Sequence, residues 1–193
     1  MAKGRDSGMP AAEQWESYFD PPGILDALVG RRVTGDAIEF GCGYGTFTVP
    51  AAQRVTGTVH ALDIDPAMVA AASARAAKAG LTNVVVEHRD FVSDGCGRQP
   101  QSASLALLFN ILHIEEPLRL LLEARRVLRP GGSVALIHWN YAAGTPRGPP
   151  LDIRPRPEQC RRWAEEAGFK WLRDPMLPGC PWHWGMVLLR GDA

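Results

Sequence analysis

Ala37-Ile38-Glu39-Phe40-Gly41-Cys42-Gly43-Tyr44-Gly45 is the stretch that decides the fold. Four residues of buried-strand character run into three glycines at alternate positions. A helical stretch follows from Thr46 to Val55, with Pro50 close enough to its first turn to be tolerated. Glycines at a strand-to-helix junction allow a tight turn and let backbone N–H groups at the helix start approach a ligand. A nucleotide-type ligand is implied. The dinucleotide pattern G-x-G-x-x-G would place its third glycine at 46, where this chain has Thr46; the glycine comes one residue early, at Gly45.

Downstream, strand and helix alternate. Thr58 to Leu62 reads as a second strand, and Asp65-Pro66 opens an alanine-rich helix through Ala79 that Gly80 stops. Val84 to Val86 is a third strand, and Ser104 to Phe109 a fourth, apolar enough for burial on both faces. Pro117 to Leu128 is an amphipathic helix, ended by Pro130-Gly131-Gly132 before a fifth strand, Ser133 to Trp139. Residues 140–157 hold five prolines, too many for regular structure. Beyond them come a helix from Glu158 to Ala167 and two strand candidates, Phe169 to Leu172 and Trp184 to Leu189. The last is expected to be antiparallel, because Pro175 to Pro181 is too irregular for a crossover helix. Upstream, Glu13 to Phe19 carries Trp15, Tyr18 and Phe19 at helical spacing, and Asp20-Pro21 caps a short helix bearing Ile24, Leu25, Leu28 and Val29. Residues 1–12 read as a flexible leader and 13–193 as a single domain. The alternation implies an α/β fold: right-handed crossovers and a mostly parallel sheet with helices on both faces.

The 193 residues carry 21 Lys+Arg and 21 Asp+Glu, so the formal charge is zero. That disfavours a nucleic-acid polymer or an anionic membrane surface as partner, since both call for a basic surplus. No run approaches the roughly 18–20 apolar residues of a membrane span, and a cytoplasmic location is the default expectation. The zero conceals an asymmetry. Residues 1–100 hold 9 basic and 12 acidic groups; residues 101–193 hold 12 and 9. Cys42, Cys96, Cys160 and Cys180 form no Cys-x-x-Cys pair, and Cys180-Pro-Trp-His183 has no matching second half, so neither a disulfide framework nor a metal is expected.

Glu39-x-Gly41-x-Gly43-x-Gly45 resembles the first motif of the class I S-adenosylmethionine-dependent methyltransferases, which implies an α/β fold with a Rossmann-like, doubly wound, seven-stranded sheet, mostly parallel with an antiparallel last strand. Asp63 at the end of the second strand, Asp90-Phe91 after the third, Leu107 to His113 along the fourth and Arg126 to Gly132 before the fifth fall at positions similar to that family's. The resemblance implies a methyltransferase with S-adenosylmethionine as cofactor. It implies that Gly41, Gly43 and Gly45 line the amino-acid end and that Glu39 organises the turn. Asp63 would take the ribose hydroxyls, Ile64 pack on adenine, Asp90 and Phe91 contact its polar edge, and Asn110 lie beside the methionine part. Duller readings stand beside these: Asp65 as a helix cap rather than a ribose ligand, Asp90 as a cap of the turn it precedes, Cys42 as a small filler. The short stretch Ser93 to Gln101 departs from the family by replacing a full crossover helix.

Methyl transfer from a sulfonium needs proximity, alignment and a deprotonated acceptor. His113 and His138, at the carboxyl ends of the fourth and fifth strands, are the general-base candidates, with a structural histidine as the alternative for each; His60 and His88 are read as structural. Trp15 to Phe19, His138 to Pro150 and Gly179 to Trp184 would wall a site for a small-molecule substrate, and Arg147, Arg154 and Arg156 suggest an anionic group on it. A catalytically silent cofactor-binding subunit and a nicotinamide-dependent dehydrogenase are the alternatives, the second opposed by Thr46. Oligomeric state stays open, with a homodimer among the options.

Overall fold

The computed structural model describes residues 9–191. Its centre is a seven-stranded sheet built from β1 (Asp36–Phe40), β2 (Val59–Asp63), β3 (Val84–His88), β4 (Ala103–Phe109), β5 (Leu128–Trp139), β6 (Phe169–Arg173) and β7 (His183–Arg190), in the order β3-β2-β1-β4-β5-β7-β6. Neighbours among β1–β5 pair in parallel, while β7 runs antiparallel to both β5 and β6. This is the expected doubly wound sheet with a reversed last strand. The 174–182 connection contains no helix, so the chain leaves β6 and returns along its neighbour in the opposite sense.

Seven helices, α1 (Ala12–Glu16), α2 (Pro21–Val29), α3 (Thr48–Ala52), α4 (Pro66–Lys78), α5 (Phe91–Asp94), α6 (Pro117–Val127) and α7 (Pro157–Glu166), complete the described residues. Residues of α2, α3 and α4 bury one sheet face with Ala37, Leu105, Leu107 and Ile137; residues of α5, α6 and α7 bury the other with Phe40, Leu108, Leu136 and Met186. Every residue of β4 is buried, which is why its apolar run does not alternate. On α6 the inward stripe Leu120, Leu121, Ala124 and Val127 follows the helical period, and each leucine so buried contributes about 2 kcal/mol. Aspartates fix two helix starts. The Gly23 N–H donates to Asp20 Oδ1 at 3.3 Å and the Ala67 N–H to Asp65 Oδ1 at 2.8 Å, each ahead of a proline at the first helical position.

Three boundaries differ from expectation. The helix expected over Thr46 to Val55 is helical only over Thr48–Ala52, because Gly43 and Gly45 hold φ of +52° and +73° and the chain is still turning at Phe47. Pro130-Gly131-Gly132 does not separate helix from strand. β5 already begins at Leu128, opposite Ala103, and then slips so that Ser133 faces Leu105; Gly131, at φ +73°, lies inside that bulge. The helix expected from Glu13 to Phe19 stops at Glu16. The expected leader falls for residues 1–8 outside the described residues, while Pro10 is buried and accepts the Tyr44 hydroxyl at 2.8 Å. Among the described residues no helix is long and apolar enough to cross a membrane.

Candidate functional site

The β1–α3 turn takes φ of +79° at Gly41, +52° at Gly43 and +73° at Gly45, values that side chains rarely tolerate. Asp63, at the end of the adjacent strand, ties this turn to the next one: its Oδ2 accepts from the Gly43 N–H at 2.8 Å and its Oδ1 from the Asp65 N–H at 3.0 Å. Burial nevertheless raises the Asp63 pKa, against the backbone N–H groups that lower it. Glu39 lies beneath, buried, accepting from the Thr48 hydroxyl; burial first, and the charge of Asp63 after it, push its carboxyl up to about 8. The glycines divide the work. A Cβ on Gly45 would stand 3.0 Å from Cα of Ala72, so the bare residue lets α4 pack on the turn. A Cβ on Gly41 would make only ordinary contacts, the nearest 3.5 Å to Ile111 Cδ1, and one on Gly43 would meet Met9 Cε at 3.3 Å.

The other predicted residues reach the same sheet edge. Ile64 follows Asp63, half-buried, its carbonyl 2.8 Å from Nε2 of His88. Asp90 is the N-cap of α5, accepting from the Ser93 N–H at 3.1 Å and the Ser93 hydroxyl at 3.0 Å, which is the capping geometry of the duller reading. Phe91 is buried edge-on to Phe40 with ring centroids 5.5 Å apart. Asn110 is one of two non-glycine residues at positive φ among those described, +55°. Its N–H donates to the Ile137 carbonyl at 2.8 Å, while both side-chain amide atoms are buried without a partner. Such backbone strain and unmet hydrogen-bonding capacity gather where a ligand binds. Cys42, by contrast, is buried with its thiol held far above the ordinary range by burial first, then by the charges of Glu39 and Asp63, so it is no nucleophile.

His113 and His138 come together at the ends of β4 and β5, ring centroids 5.5 Å apart. His138 is fully buried with neither ring nitrogen partnered, and burial holds its pKa well below the usual value. His113 is half-buried with Nδ1 unpartnered, and burial, followed by the charge of Arg154, lowers it to about 4. Both are neutral near pH 7 and weak as proton acceptors, which fits the ends of hydrogen bonds better than a general base. A third histidine, His183, joins them through the antiparallel pairing of Trp139 with His183 and His138 with Trp184. It is pushed down to about 3 by burial and then by Arg154, with Nδ1 3.2 Å from Sγ of Cys180. Among the described residues no cluster of His, Cys, Asp and Glu could hold a metal.

The three aromatic segments singled out in the sequence meet. Tyr18 packs on Trp139 with centroids 5.3 Å apart, Trp139 on His183 at 4.0 Å and Phe19 on His183 at 4.7 Å; Phe19 also touches Phe47 at 5.2 Å, next to the glycine turn. The loop arginines do not present free cations. Arg154 is buried, its guanidinium donating to the carbonyls of Asn140 and Pro149 and to the Thr145 hydroxyl, the last at 2.7 Å. Arg156 lies 3.6 Å over the Tyr141 ring. A groove of about 690 Å³, lined by Leu177, Cys180, His183 and Trp184 among others, opens beside the start of β7. Sequence reasoning passed over Thr48 and Ala72, whose parts depend on the turn's three-dimensional course. It also left out the pairing of His183 with the β5 end, which the antiparallel expectation could have supplied.

Comparison with known proteins agrees with this geometry. A family model described as a methyltransferase domain matches residues 37–132. Aklanonic acid methyltransferase DauC of Streptomyces sp. (strain C5) is 30% identical over 132 residues, 66% of this chain and 59% of that protein. Nocamycin O-methyltransferase of Saccharothrix syringae is 45% identical over 69 residues, 35% of this chain and 24% of that protein. The match thus spans less than two thirds of either relative. A crystal structure of a SAM dependent methyltransferase from Aquifex aeolicus superposes with a TM-score of 0.78 at 24% identity, covering 90% of this chain and 91% of that one. The [4+2]-cyclase SpnF superposes at 0.76 with 16% identity, covering 97% and 86%. Residues 37–132 thus match the methyltransferase-domain family, and the chain has the class I Rossmann-like methyltransferase fold.

Proposed function

We propose that this protein is an S-adenosylmethionine-dependent methyltransferase acting on a small-molecule acceptor with an anionic group, and that residues 13–193 form one methyltransferase domain. One observation carries the donor half: the buried Asp63 carboxylate at the end of β2, bonded to the Gly43 N–H inside a three-glycine turn, opposite the unpartnered Asn110 amide. The donor has an amino-acid end, a ribose and an adenine. Gly41 and Gly43 would admit the first against the backbone, Asp63 the second, and Ile64 and Phe91 the third, while the Asn110 amide finds its partners in the methionine part. When bound, the donor supplies an electrophilic methyl group on a sulfonium.

This chain's part is to align and to exclude water. Glu39 and Thr48 brace the turn, and the Tyr18, Phe19, Trp139 and His183 rings close over the edge where donor and acceptor would meet. The names of the two relatives, one after an acid and one an O-methyltransferase, support an oxygen-bearing small molecule as acceptor. Four buried free cysteines suit a cytoplasmic setting.

Isothermal titration with S-adenosylhomocysteine is the test. Binding in the micromolar range is expected, weakened at least tenfold by Asp63→Ala. No binding, or an Asp63→Ala variant that binds like wild type, overturns the donor assignment. The likeness to a cyclase favours keeping one alternative, a donor-binding protein that does not methylate. Donor binding without turnover over a broad panel of phenols, enols and carboxylic acids would select it.

A further inference from the structure

At the carboxyl ends of β4 and β5 and the start of β7, polar side-chain atoms lie without partners beyond the Asn110 amide: Nδ1 of His113, both ring nitrogens of His138 and Nε1 of Trp184. They form a row. The rings of His113 and His138 are 5.5 Å apart, those of His138 and Trp184 are 6.2 Å apart and stacked, and the Asn110 N–H is bonded to the carbonyl of Ile137, next to His138. A single buried polar group left unsatisfied costs about 1–3 kcal/mol, so four such atoms on three neighbouring rings point to a partner from outside the chain. The residues come from separate elements that meet only at the edge where this fold binds ligands.

The chemistry of the row selects its ligand. A buried imidazole without a carboxylate neighbour stays neutral and offers one N–H. With the Trp184 N–H, the three side chains present one N–H donor each. Beside them stands Arg154, a buried cation whose hydrogen bonds run to carbonyls and a hydroxyl, with no carboxylate within ion-pair distance among the described residues. Gly148, where a Cβ would lie 2.7 Å from Arg154 Nη2 and 2.8 Å from Trp139 Cγ, seats the loop so that this cation sits against the end of β5. A buried cation lacking a counter-charge leaves a positive field in its neighbourhood. On the donor half of the edge the buried acidic groups are Asp63 and the protonated Glu39, and Arg154 is on the other half.

We infer that His113, His138 and Trp184, beside the Arg154 cation, are the subsite for the charged end of the acceptor, and that this end is a carboxylate. Two planar oxygens match a row of single N–H donors. A phosphate would call for a forked guanidinium or a nest of backbone N–H groups, and the Arg154 fork is already engaged by the loop. A carboxylate also arrives ionised at neutral pH, so binding it transfers no proton to His113 or His138. The inference rests on the methyltransferase reading for which edge ligands meet, and deepens it to a substrate class.

Benzoate and the isosteric, uncharged benzamide are the probes, titrated into the full chain with and without saturating S-adenosylhomocysteine. Binding is followed through the ring ¹⁵N resonances of the histidines. Benzoate is expected to shift His113 and His138 and to bind at least tenfold more tightly than benzamide. Trp184→Phe, which keeps an aromatic ring but loses the indole N–H, should weaken benzoate about tenfold, and His113→Leu likewise, with S-adenosylhomocysteine affinity in Trp184→Phe within twofold of wild type. Equal binding of the two probes, unmoved histidine resonances, or a Trp184→Phe variant that binds benzoate like wild type would overturn the subsite. A protein that takes benzoate at these histidines but not S-adenosylhomocysteine keeps the subsite and overturns the donor reading instead.

Discussion

Replacing Glu39 by Gln should make the protein less sensitive to alkali. In the folded chain this carboxyl is buried beneath the glycine turn and keeps its proton up to about pH 8; in the unfolded chain it loses the proton near its ordinary value of 4.5. Between those two values the folded state binds one proton more than the unfolded state. Raising the pH therefore favours unfolding, and the stabilisation present below pH 4.5 is lost as the pH climbs through 8. Each pH decade in that window is worth roughly 1.4 kcal/mol, so the loss has an upper limit of roughly 4–5 kcal/mol. Gln has nearly the same shape and can still accept from the Thr48 hydroxyl, but its amide N–H groups must find acceptors, at a fixed cost of about 1–2 kcal/mol. The wild type should be the more stable protein at pH 5 and the variant at pH 9. Urea unfolding followed by tryptophan fluorescence at pH 5, 7 and 9 measures the difference. A wild-type-minus-variant stability that stays constant across that range would show that Glu39 is ionised in the folded chain and refute the reasoning.

Further substitutions separate packing from binding. Gly45→Ala places a Cβ 3.0 Å from the Ala72 backbone at a φ of +73°, and should destabilise the fold by about 2–3 kcal/mol in urea titrations. Gly41→Ala, with a first neighbour at 3.5 Å, pays only the strain of a positive φ, about 1 kcal/mol in stability, and should show its larger effect in S-adenosylhomocysteine affinity. Arg154→Met removes the donors that gather the carbonyls of residues 140–149; limited proteolysis should cut that loop faster while S-adenosylhomocysteine affinity is unchanged. Asp65→Ala should cost about 1 kcal/mol through loss of the α4 cap.

Local chemistry made most of the fold legible. Proline after aspartate placed the starts of α2 and α4, and the unbroken apolar run of β4 announced a strand buried on both faces. The misplaced boundaries lie where glycine conformation overrides pattern, at the turn preceding α3 and at the bulge of β5, because periodicity does not reveal the sign of φ. The donor half of the site was visible for a related reason: Glu39 to Gly45 and Asp63 are contiguous or near in sequence and carry their geometry in their residue types. The row of His113, His138 and Trp184 was only partly visible. It joins three strand ends, and a histidine gives no sign in sequence of whether its ring nitrogens will be partnered. Arg154 was misleading for the complementary reason: an arginine in a proline-rich loop looks available until its carbonyl partners are known.

The reversal of β7 has a consequence for how such a protein can diversify. β6 ends at Arg173 on the same edge where β5 ends, and β7 starts there at His183, so the whole 174–182 connection begins and ends at the ligand edge. Its backbone need not cross the molecule, and the register of β7 is set independently by pairing with β5 and β6 on either side. Residues could be added to or taken from this segment without moving the glycine turn, Asp63 or any parallel strand. The acceptor side can thus change length and lining while the donor side stands still, an arrangement that lets one scaffold acquire new substrates by altering a single loop.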